Sequence, residues 1–407
     1  MATLIEQFAV LLLVASLVAI IARRLRLPYA TGLVLTGVAL AALPAAPHVA
    51  MTRELIFTAL LPPLIFEAAL FLPWRLLRRE GLLVFVLATV GLLLAAAVVT
   101  FGLNALAGWT LLAAAVFGVL ISATDPVSVI AVFRDLGIKG RLRVLVEAES
   151  LLNDGTAAAL FALVLAAYQG DHPTVLGSLS ALGLITVGSV FCGVLVAVPL
   201  TLLSASSTDH FVEVTLTIVA AYGSFLLAEH LHASGILATL TAGLIAARRG
   251  DSALVSAKGR EAVETVWGVI AFFANSLVFM LIGMHEADQI YSSIGADIAI
   301  AIALVMLGRA ATIYPLAAVF RASRWRIPGA QQHILFWGGL RGALALGLAL
   351  GLPDDFPQRE RIVSVAFAVV TFSLIVQGPT IAPLLAKLEL PRTPAAGAGA
   401  QPKKTGP

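Results

Sequence analysis

Six ionisable side chains, Glu67, Asp125, Glu149, Asp154, Arg309 and Arg341, fall inside long apolar runs of the chain. Placing a charge at the centre of a membrane helix costs roughly 2.5 to 3.5 kcal/mol, so such residues face a cavity or a partner and mark a pathway. Around Asp154 the sequence reads Glu149-Ser150-Leu151-Leu152-Asn153-Asp154-Gly155-Thr156. On a helix, Ser150 and Asp154 align four residues apart, and Glu149 aligns with Asn153 on the neighbouring face. One face therefore offers a carboxylate with a hydroxyl, and the next a carboxylate with an amide. Oxygen donors of this kind suit a hard monovalent cation such as Na⁺, by the same hardness that gives Ca²⁺ and Mg²⁺ their oxygen ligands.

Two further stretches interrupt apolar runs. In Ser122-Ala123-Thr124-Asp125-Pro126, proline removes a backbone donor and clashes with the preceding turn, and the residue before it is driven toward extended backbone. The helix should break there, and carbonyls freed at membrane depth are tolerated only where they line a cavity or are buried in protein. Trp337-Gly338-Gly339-Leu340-Arg341-Gly342 is a comparable irregularity later in the chain. Two interrupted helices in corresponding places of two halves point to an inverted-repeat transporter.

The elements that must position these residues follow from composition. Of 407 residues, 60% are hydrophobic and 12% charged, with a mean hydropathy of +0.99. A soluble domain carries roughly 25% charged residues, so an ordinary soluble fold is excluded. The net charge of +3 is spread along the chain and forms no basic face for nucleic acid. The single cysteine, Cys192, excludes a disulfide framework. Thirteen runs are long enough to cross the bilayer: 5–22, 29–44, 55–72, 81–104, 110–133, 144–168, 178–203, 212–228, 233–247, 264–284, 293–319, 331–351 and 362–386. The expected fold is an all-α polytopic membrane protein, with runs 1–6 and 8–13 as inverted repeats joined by run 7. A single transmembrane domain should occupy 1–390. The first run lacks a basic leader and reads as a retained helix rather than a cleaved signal.

Basic residues follow runs 1, 3, 5, 9, 11 and 13, the loop after run 7 (204–210) carrying no Lys or Arg: Arg23, Arg24 and Arg26; Arg75, Arg78 and Arg79; Arg134, Lys139, Arg141 and Arg143; Arg248, Arg249, Lys258 and Arg260; Arg321, Arg324 and Arg326; then Lys387, Arg392, Lys403 and Lys404. The opposite loops hold only Arg53, Arg359 and Arg361. Cytoplasmic loops retain Lys and Arg, so the N-terminus is expected outside and the C-terminus in the cytoplasm, in the plasma membrane of a prokaryote. At 1.5 Å per residue, Asp154 and Arg341 lie about ten residues in from the basic side, and Glu67 and Asp125 about twelve and fifteen from the other. Four helices thus bring charge to one level.

The segments Ser122 to Val127, Glu149 to Gly155, Phe273-Ala274-Asn275-Ser276-Leu277-Val278-Phe279 and Gly338-Gly339-Leu340-Arg341-Gly342 resemble the monovalent cation:proton antiporter family 1, which contains the NhaP-type and NHE-type sodium/proton exchangers. The resemblance covers nearly the whole transmembrane chain. It implies an NhaA-like antiporter fold with two broken, crossing helices, and a homodimer. In that picture a moving core is formed by about 81–168 and 293–386, against a scaffold at about 5–72 and 178–284 that holds the dimer interface. By position it makes Asp154 the exchanging carboxylate, with Ser150 and Glu67 as side-chain ligands and Thr124 offering its main-chain carbonyl. Glu149 would pair with Arg341, and Asp125 would compensate helix dipoles at the crossing, as anions near helix N-termini do. Asn153 is neutral, which leaves one exchanging charge and implies one-for-one electroneutral exchange of Na⁺, Li⁺ or K⁺ for H⁺. A bare buried carboxylate is costly, so proton and cation compete for Asp154. If only the occupied site crosses between inward and outward states, each gradient drives the other ion.

Other polar residues read more plainly. Arg309 is expected to stabilise the fold, beside an acid or a helix C-terminus, and Asn275 and Ser276 to hydrogen-bond between helices. Glu213 and Glu229 are expected at the interface, and the His230 and His232 pair in a solvated loop. Glu147, two turns from Asp154 on its face, is expected in the inner funnel. The tail 391–407 reads as disordered. No nucleotide motif, enzyme constellation or cofactor site is apparent, and the partners expected are the bilayer and a second copy. The competing reading is a cation channel, which also uses carboxylates and freed carbonyls.

Overall fold

A computed structural model describes residues 3–25, 27–43, 49, 51–169, 175–204, 209–247, 259–287 and 294–388. The tail 391–407 and several of the basic loop residues, Arg26, Arg248, Arg249, Lys258, Arg392, Lys403 and Lys404, lie outside them. The described elements are all helical: α1 (Thr3–Leu25), α2 (Tyr29–Ala41), α3 (Leu61–Leu70), α4 (Trp74–Val86), α5 (Leu92–Ala107), α6 (Leu111–Ser122), α7 (Val127–Asp135), α8 (Arg141–Tyr168), α9 (Val175–Ser204), α10 (His210–His230), α11 (Gly235–Ala246), α12 (Gly259–Ala287), α13 (Gly295–Val319), α14 (Gly329–Trp337), α15 (Ala343–Leu350), α16 (Arg359–Phe372) and α17 (Gly378–Lys387). Wide π turns at Glu54–Leu60, Leu87–Gly91 and Ser373–Gln377 lead into α3, join α4 to α5 and join α16 to α17. Counting α6 with α7 and α14 with α15 as single interrupted crossings, each of the thirteen apolar runs coincides with a helical segment.

Element ends differ from the apolar runs in an instructive way. The fourth helix begins at Trp74 rather than near residue 81, so Arg75, Arg78 and Arg79 sit in its first turns rather than in a loop. Arginines are compatible with a helix end there because long side chains carry the charge outward while their stems cover apolar surface.

α2 packs along α12, α5 lies between α6 and α13, and α9, α10 and α11 form a further group against α3. The α2 and α12 backbones meet through two glycines: a Cβ on Gly37 would lie 2.2 Å from the Met280 carbonyl oxygen, and one on Gly283 would lie 2.1 Å from that of Val34. Outward faces remain apolar, as at Leu13, Ile20, Phe101, Leu184 and Val187, which is the surface a lipid solvent requires.

The two interruptions fall where the sequence places them, and they cross. Ala123 is extended (φ −61°, ψ 143°) after α6, and Gly342 is extended (φ −146°, ψ −155°) before α15. The Asp125 N–H donates to the Leu340 carbonyl at 2.8 Å, joining the breaks through their backbones. This approach needs glycine, since a Cβ on Gly342 would sit 2.4 Å from the Asp125 Cβ.

Candidate functional site

Breaking two helices exposes four helix ends at the crossing, and the polar side chains there serve those ends. The Ser122 and Ala123 carbonyls, at the end of α6, accept from Arg341 Nη1 at 2.8 and 3.0 Å. The Leu335 carbonyl, in the last turn of α14, accepts from Arg309 Nε at 3.1 Å and Nη2 at 2.9 Å. Guanidinium groups belong at helix C-termini, where the carbonyls carry partial negative charge. At the opposite pole, Asp125 Oδ1 accepts from the Val127 N–H at 3.2 Å, at the start of α7. The other oxygen, Oδ2, is buried without a hydrogen-bond partner, as is Arg341 Nε.

The pairing of Glu149 differs from the expectation. Its carboxylate is held bidentately by Arg309, Nη1 to Oε1 at 2.7 Å and Nη2 to Oε2 at 3.0 Å, and makes no hydrogen bond to Arg341. The reason lies in the capping: Arg341 is on the interrupted stretch itself and turns to the α6 carbonyls, whereas Arg309 comes from the continuous α13 and spans both Glu149 and α14. Arg309 therefore serves both an acid and a helix C-terminus.

On α8, Asn153 works as a connector. Its Oδ1 accepts from the Thr124 N–H at 3.3 Å, and its Nδ2 donates to Thr124 Oγ1 at 2.7 Å and Glu149 Oε1 at 3.3 Å. The Ser150 hydroxyl donates to the Thr124 carbonyl oxygen and lies 3.4 Å from Thr124 Oγ1. These contacts fix the extended strand of the first break against the face of α8 that carries Asp154. Thr124, Glu149, Ser150 and Asn153 are buried, while Asp154, Asp125 and Glu67 are half-buried.

Asp154 faces a cavity of about 90 Å³ whose polar lining comes from Glu67, Thr124, Asp125 and Asn275. Glu67 also lines a larger vestibule of about 770 Å³, together with Trp74, Arg75, Arg134, Arg260 and Glu264. Glu67 thus stands between Asp154 and an open approach. Of the four residues expected at one level, Glu67, Asp125 and Asp154 line this small space, together with Asn275 of α12; Arg341 does not, although residues 342–345 that follow it form part of the wall.

Several other expectations resolve. Glu147 does not line either cavity; Arg143 Nε engages it at 2.9 Å, one turn back along α8, and the acids on the vestibule wall are Glu67 and Glu264. Ser276 does bond between helices, 2.6 Å from the Tyr29 hydroxyl, but Asn275 lines the cavity beside Asp154. Residue type alone could not separate these neighbours, because the side facing the cavity depends on how α12 is rotated against α2. Glu229 Oε1 accepts from the Gly235 N–H and serves the start of α11. Glu213 is buried in the first turn of α10. His230 Nδ1 lies 2.7 Å from the Leu226 carbonyl within its own helix.

Two ion pairs had no signal in the apolar pattern because they stand at run ends. Glu80, buried in α4, pairs with Arg141 of α8 at 2.9 Å, and Arg141 also donates to the Trp325 and Arg326 carbonyls. Asp297 of α13 pairs with Arg361 of α16, which reaches the Ala107 carbonyl at 3.1 Å and lies 5.1 Å from the Trp109 ring.

The chain is similar to known proteins along most of its length. A family model described as sodium/hydrogen exchanger, transmembrane, matches residues 10–387. The low-affinity Na(+)/H(+) antiporter NhaS1 of Synechocystis is 35% identical over 400 residues, covering 95% of this chain and 75% of that protein. The Na(+)/H(+) antiporter NhaG of Bacillus atrophaeus is 37% identical over 400 residues, covering 94% and 74%. The Na(+)/H(+) antiporter NhaP of Pseudomonas aeruginosa is 33% identical over 349 residues, covering 82% and 81%. In fold, the chain is similar to the sodium proton antiporter MjNhaP1 from Methanocaldococcus jannaschii, with a TM-score of 0.73 at 19% identity over 94% of this chain and 98% of the other. With the match running through nearly every helix, this chain belongs to the sodium/hydrogen exchanger transmembrane family.

Proposed function

We propose that the chain is a secondary active exchanger of Na⁺ for H⁺, in which Asp154 takes either a proton or the cation and never both. The observation that carries this reading is the shared cavity: Asp154, Glu67 and Thr124 line one small space, and Glu67 opens it to a wide vestibule. A cation at Asp154 would draw on Glu67, the Ser150 hydroxyl and the Thr124 carbonyl. Ser150 now donates its hydrogen to that carbonyl. Rotating the hydroxyl hydrogen away frees two oxygens at once, which is how a hydroxyl both seals an empty site and joins a filled one. Na⁺ is the cation in the names of the relatives, and Li⁺ and K⁺ use the same donors.

Exchange in this reading is electroneutral. Asp154 is the one carboxylate assigned to exchange, Glu149 is held by Arg309, Asn153 adds no charge, and Glu67 and Asp125 keep one protonation state through the cycle in this reading, so one proton balances one cation. Alternating access would move a core of about 81–168 and 293–386 against the remaining scaffold. The Glu80 to Arg141 and Asp297 to Arg361 pairs support the core as a unit, since both join elements inside it near opposite ends. The vestibule carries Arg75, Arg134 and Arg260, all on the side that the basic loops assign to the cytoplasm, which supports reading this conformation as inward-facing. The protein is proposed to lie in the plasma membrane with its N-terminus outside, as a homodimer joined through the scaffold.

The test is proton movement in proteoliposomes containing a pH dye, after a Na⁺ or K⁺ pulse, with membrane potential clamped or free. Cation-driven proton flux that survives the clamp and is lost in Asp154→Asn is expected. Flux persisting in that variant, or a cation current without proton movement, would overturn the reading in favour of a channel.

A further inference from the structure

On the side of Asp154 away from the vestibule, bulky side chains of the proposed scaffold are seated on bare glycines of the proposed core. Gly155 follows Asp154 on α8, and a Cβ there would lie 2.1 Å from Leu237 Cδ2 and 2.7 Å from its Cγ. Leu237 of α11 therefore rests on the backbone beside the exchanging residue. Gly347 of α15 is covered in the same way: a Cβ would lie 3.1 Å from both Ile56 Cγ2 and Phe57 Cδ2, on the π turn before α3. Phe57 is backed by Phe225 of α10, with ring centroids 6.3 Å apart, and Ile56, Phe57 and Phe225 are all buried.

Chain direction places these contacts. The vestibule lies at the C-terminal ends of α3 and α11, where Leu70, Phe71 and Ala247 line it. Phe57 is ten residues before Glu67, about 15 Å farther from the vestibule, and Leu237 is as far from Ala247. Gly347 lies about 7.5 Å beyond Gly342 along α15, which leads away from the crossing. Leu237 and Gly155 thus meet near the level of Asp154, and Ile56, Phe57 and Gly347 meet farther out, behind the wall that Leu61 and Ala345 give the cavity.

We propose that Leu237 on Gly155, and Ile56 with Phe57 on Gly347, form the gate that closes Asp154 to the face opposite the vestibule. Their departure from these two glycines admits ions from that face. An apolar constriction excludes ions by excluding water. A glycine bed adds a mechanical property: with no side chain to interlock, a leucine or phenylalanine can leave it by sliding. All the bulky groups belong to one proposed body and both glycines to the other, so one relative displacement opens both contacts. The purpose of this gate rests on the exchange reading, but its geometry does not.

The test uses Cys192→Ser to remove the sole cysteine, which is buried, and adds Leu64→Cys, because Leu64 lines the Asp154 cavity. A membrane-impermeant methanethiosulfonate is applied to either face of oriented proteoliposomes in Na⁺-free medium. This parent should label rapidly from the vestibule face and slowly from the far face. Leu237→Ala combined with Phe57→Ala should raise the far-face rate roughly tenfold, as when a state populated at a few per cent becomes a major one. Vestibule-face labelling should persist and reports that the variant is folded. An unchanged far-face rate with vestibule labelling intact overturns the gate. Where the double variant loses vestibule labelling, Gly347→Ala decides by the same far-face criterion. Na⁺-driven proton flux in the same vesicles separates the two readings: a parent without flux but with gated labelling refutes exchange alone, and intact flux with ungated labelling refutes the gate alone.

Discussion

The pairing of Glu149 with Arg309 rather than Arg341 gives a quantitative test. Both arginines are buried, but only Arg309 makes hydrogen bonds to the carboxylate, two of them at 2.7 and 3.0 Å. A hydrogen bond to a charged group contributes about 1.5 to 3 kcal/mol, and breaking a buried pair by removing one partner costs about 3 to 5 kcal/mol because the other charge is stranded. Arg309→Gln should therefore destabilise by about 4 kcal/mol, and Glu149→Gln by a similar amount. The double variant should recover much of the loss, a coupling of about 3 kcal/mol or roughly 150-fold in the folding equilibrium. Arg341→Gln releases the Ser122 and Ala123 carbonyls and is also costly, but without a hydrogen bond to the carboxylate its coupling to Glu149→Gln carries only a through-space contribution and should be the smaller of the two. The assay is a double-mutant cycle on the purified protein in detergent, with denaturant unfolding followed by tryptophan fluorescence. Equal couplings, or a larger one for Arg341, would refute the assigned pairing and restore the one first expected.

Other outcomes follow from the same geometry. Asn275→Ala should raise the vestibule-side apparent KM for Na⁺ by roughly three- to tenfold while leaving exchange dependent on Asp154, measured as proton flux against Na⁺ concentration; an unchanged KM would place Asn275 outside the cation's path. Because one carboxylate serves both ions, the apparent KM for Na⁺ should rise as pH falls, by about tenfold per unit where the proton form dominates; a pH-independent KM would refute competition. Gly342→Ala should destabilise by about 1 to 3 kcal/mol and abolish flux, since its Cβ would meet that of Asp125 at 2.4 Å. Gly329→Ala, whose Cβ meets nothing within 4 Å, should be close to silent in the same unfolding assay.

Much of this organisation is legible in the sequence, for identifiable reasons. Hydrocarbon thickness fixes the length of apolar runs, so the crossings can be counted, and Pro126 and the glycines near 338–342 mark the breaks by their own backbone chemistry. Asp154 stands out because a carboxylate at that depth needs a purpose. Partner choice is less legible. Glu149 could meet either arginine, since both lie in apolar runs, and the decision came from which carbonyl ends each guanidinium had to cap. Asn275 and Ser276 are adjacent and similar, so only the rotation of α12 tells that one faces the cavity and the other faces Tyr29. Glu147 lies on the Asp154 face but is taken by Arg143, a local pairing that competes with the funnel role its position suggests. Glu80 and Arg361 look like ordinary loop or end charges until the tertiary fold brings their partners alongside.

The single backbone hydrogen bond from Asp125 to Leu340 has a consequence for biogenesis. The first interruption emerges from the ribosome more than two hundred residues before its partner, and domains are ordinarily completed as they are made. Here the first half must wait in the bilayer with an unfinished crossing until the second arrives. Contacts so distant in sequence are slow to form, so final assembly is expected to follow insertion of α15. A chain truncated before Leu340 should be inserted yet remain protease-sensitive near Thr124. Synthesis of the last three crossings would then complete the interior of the first six.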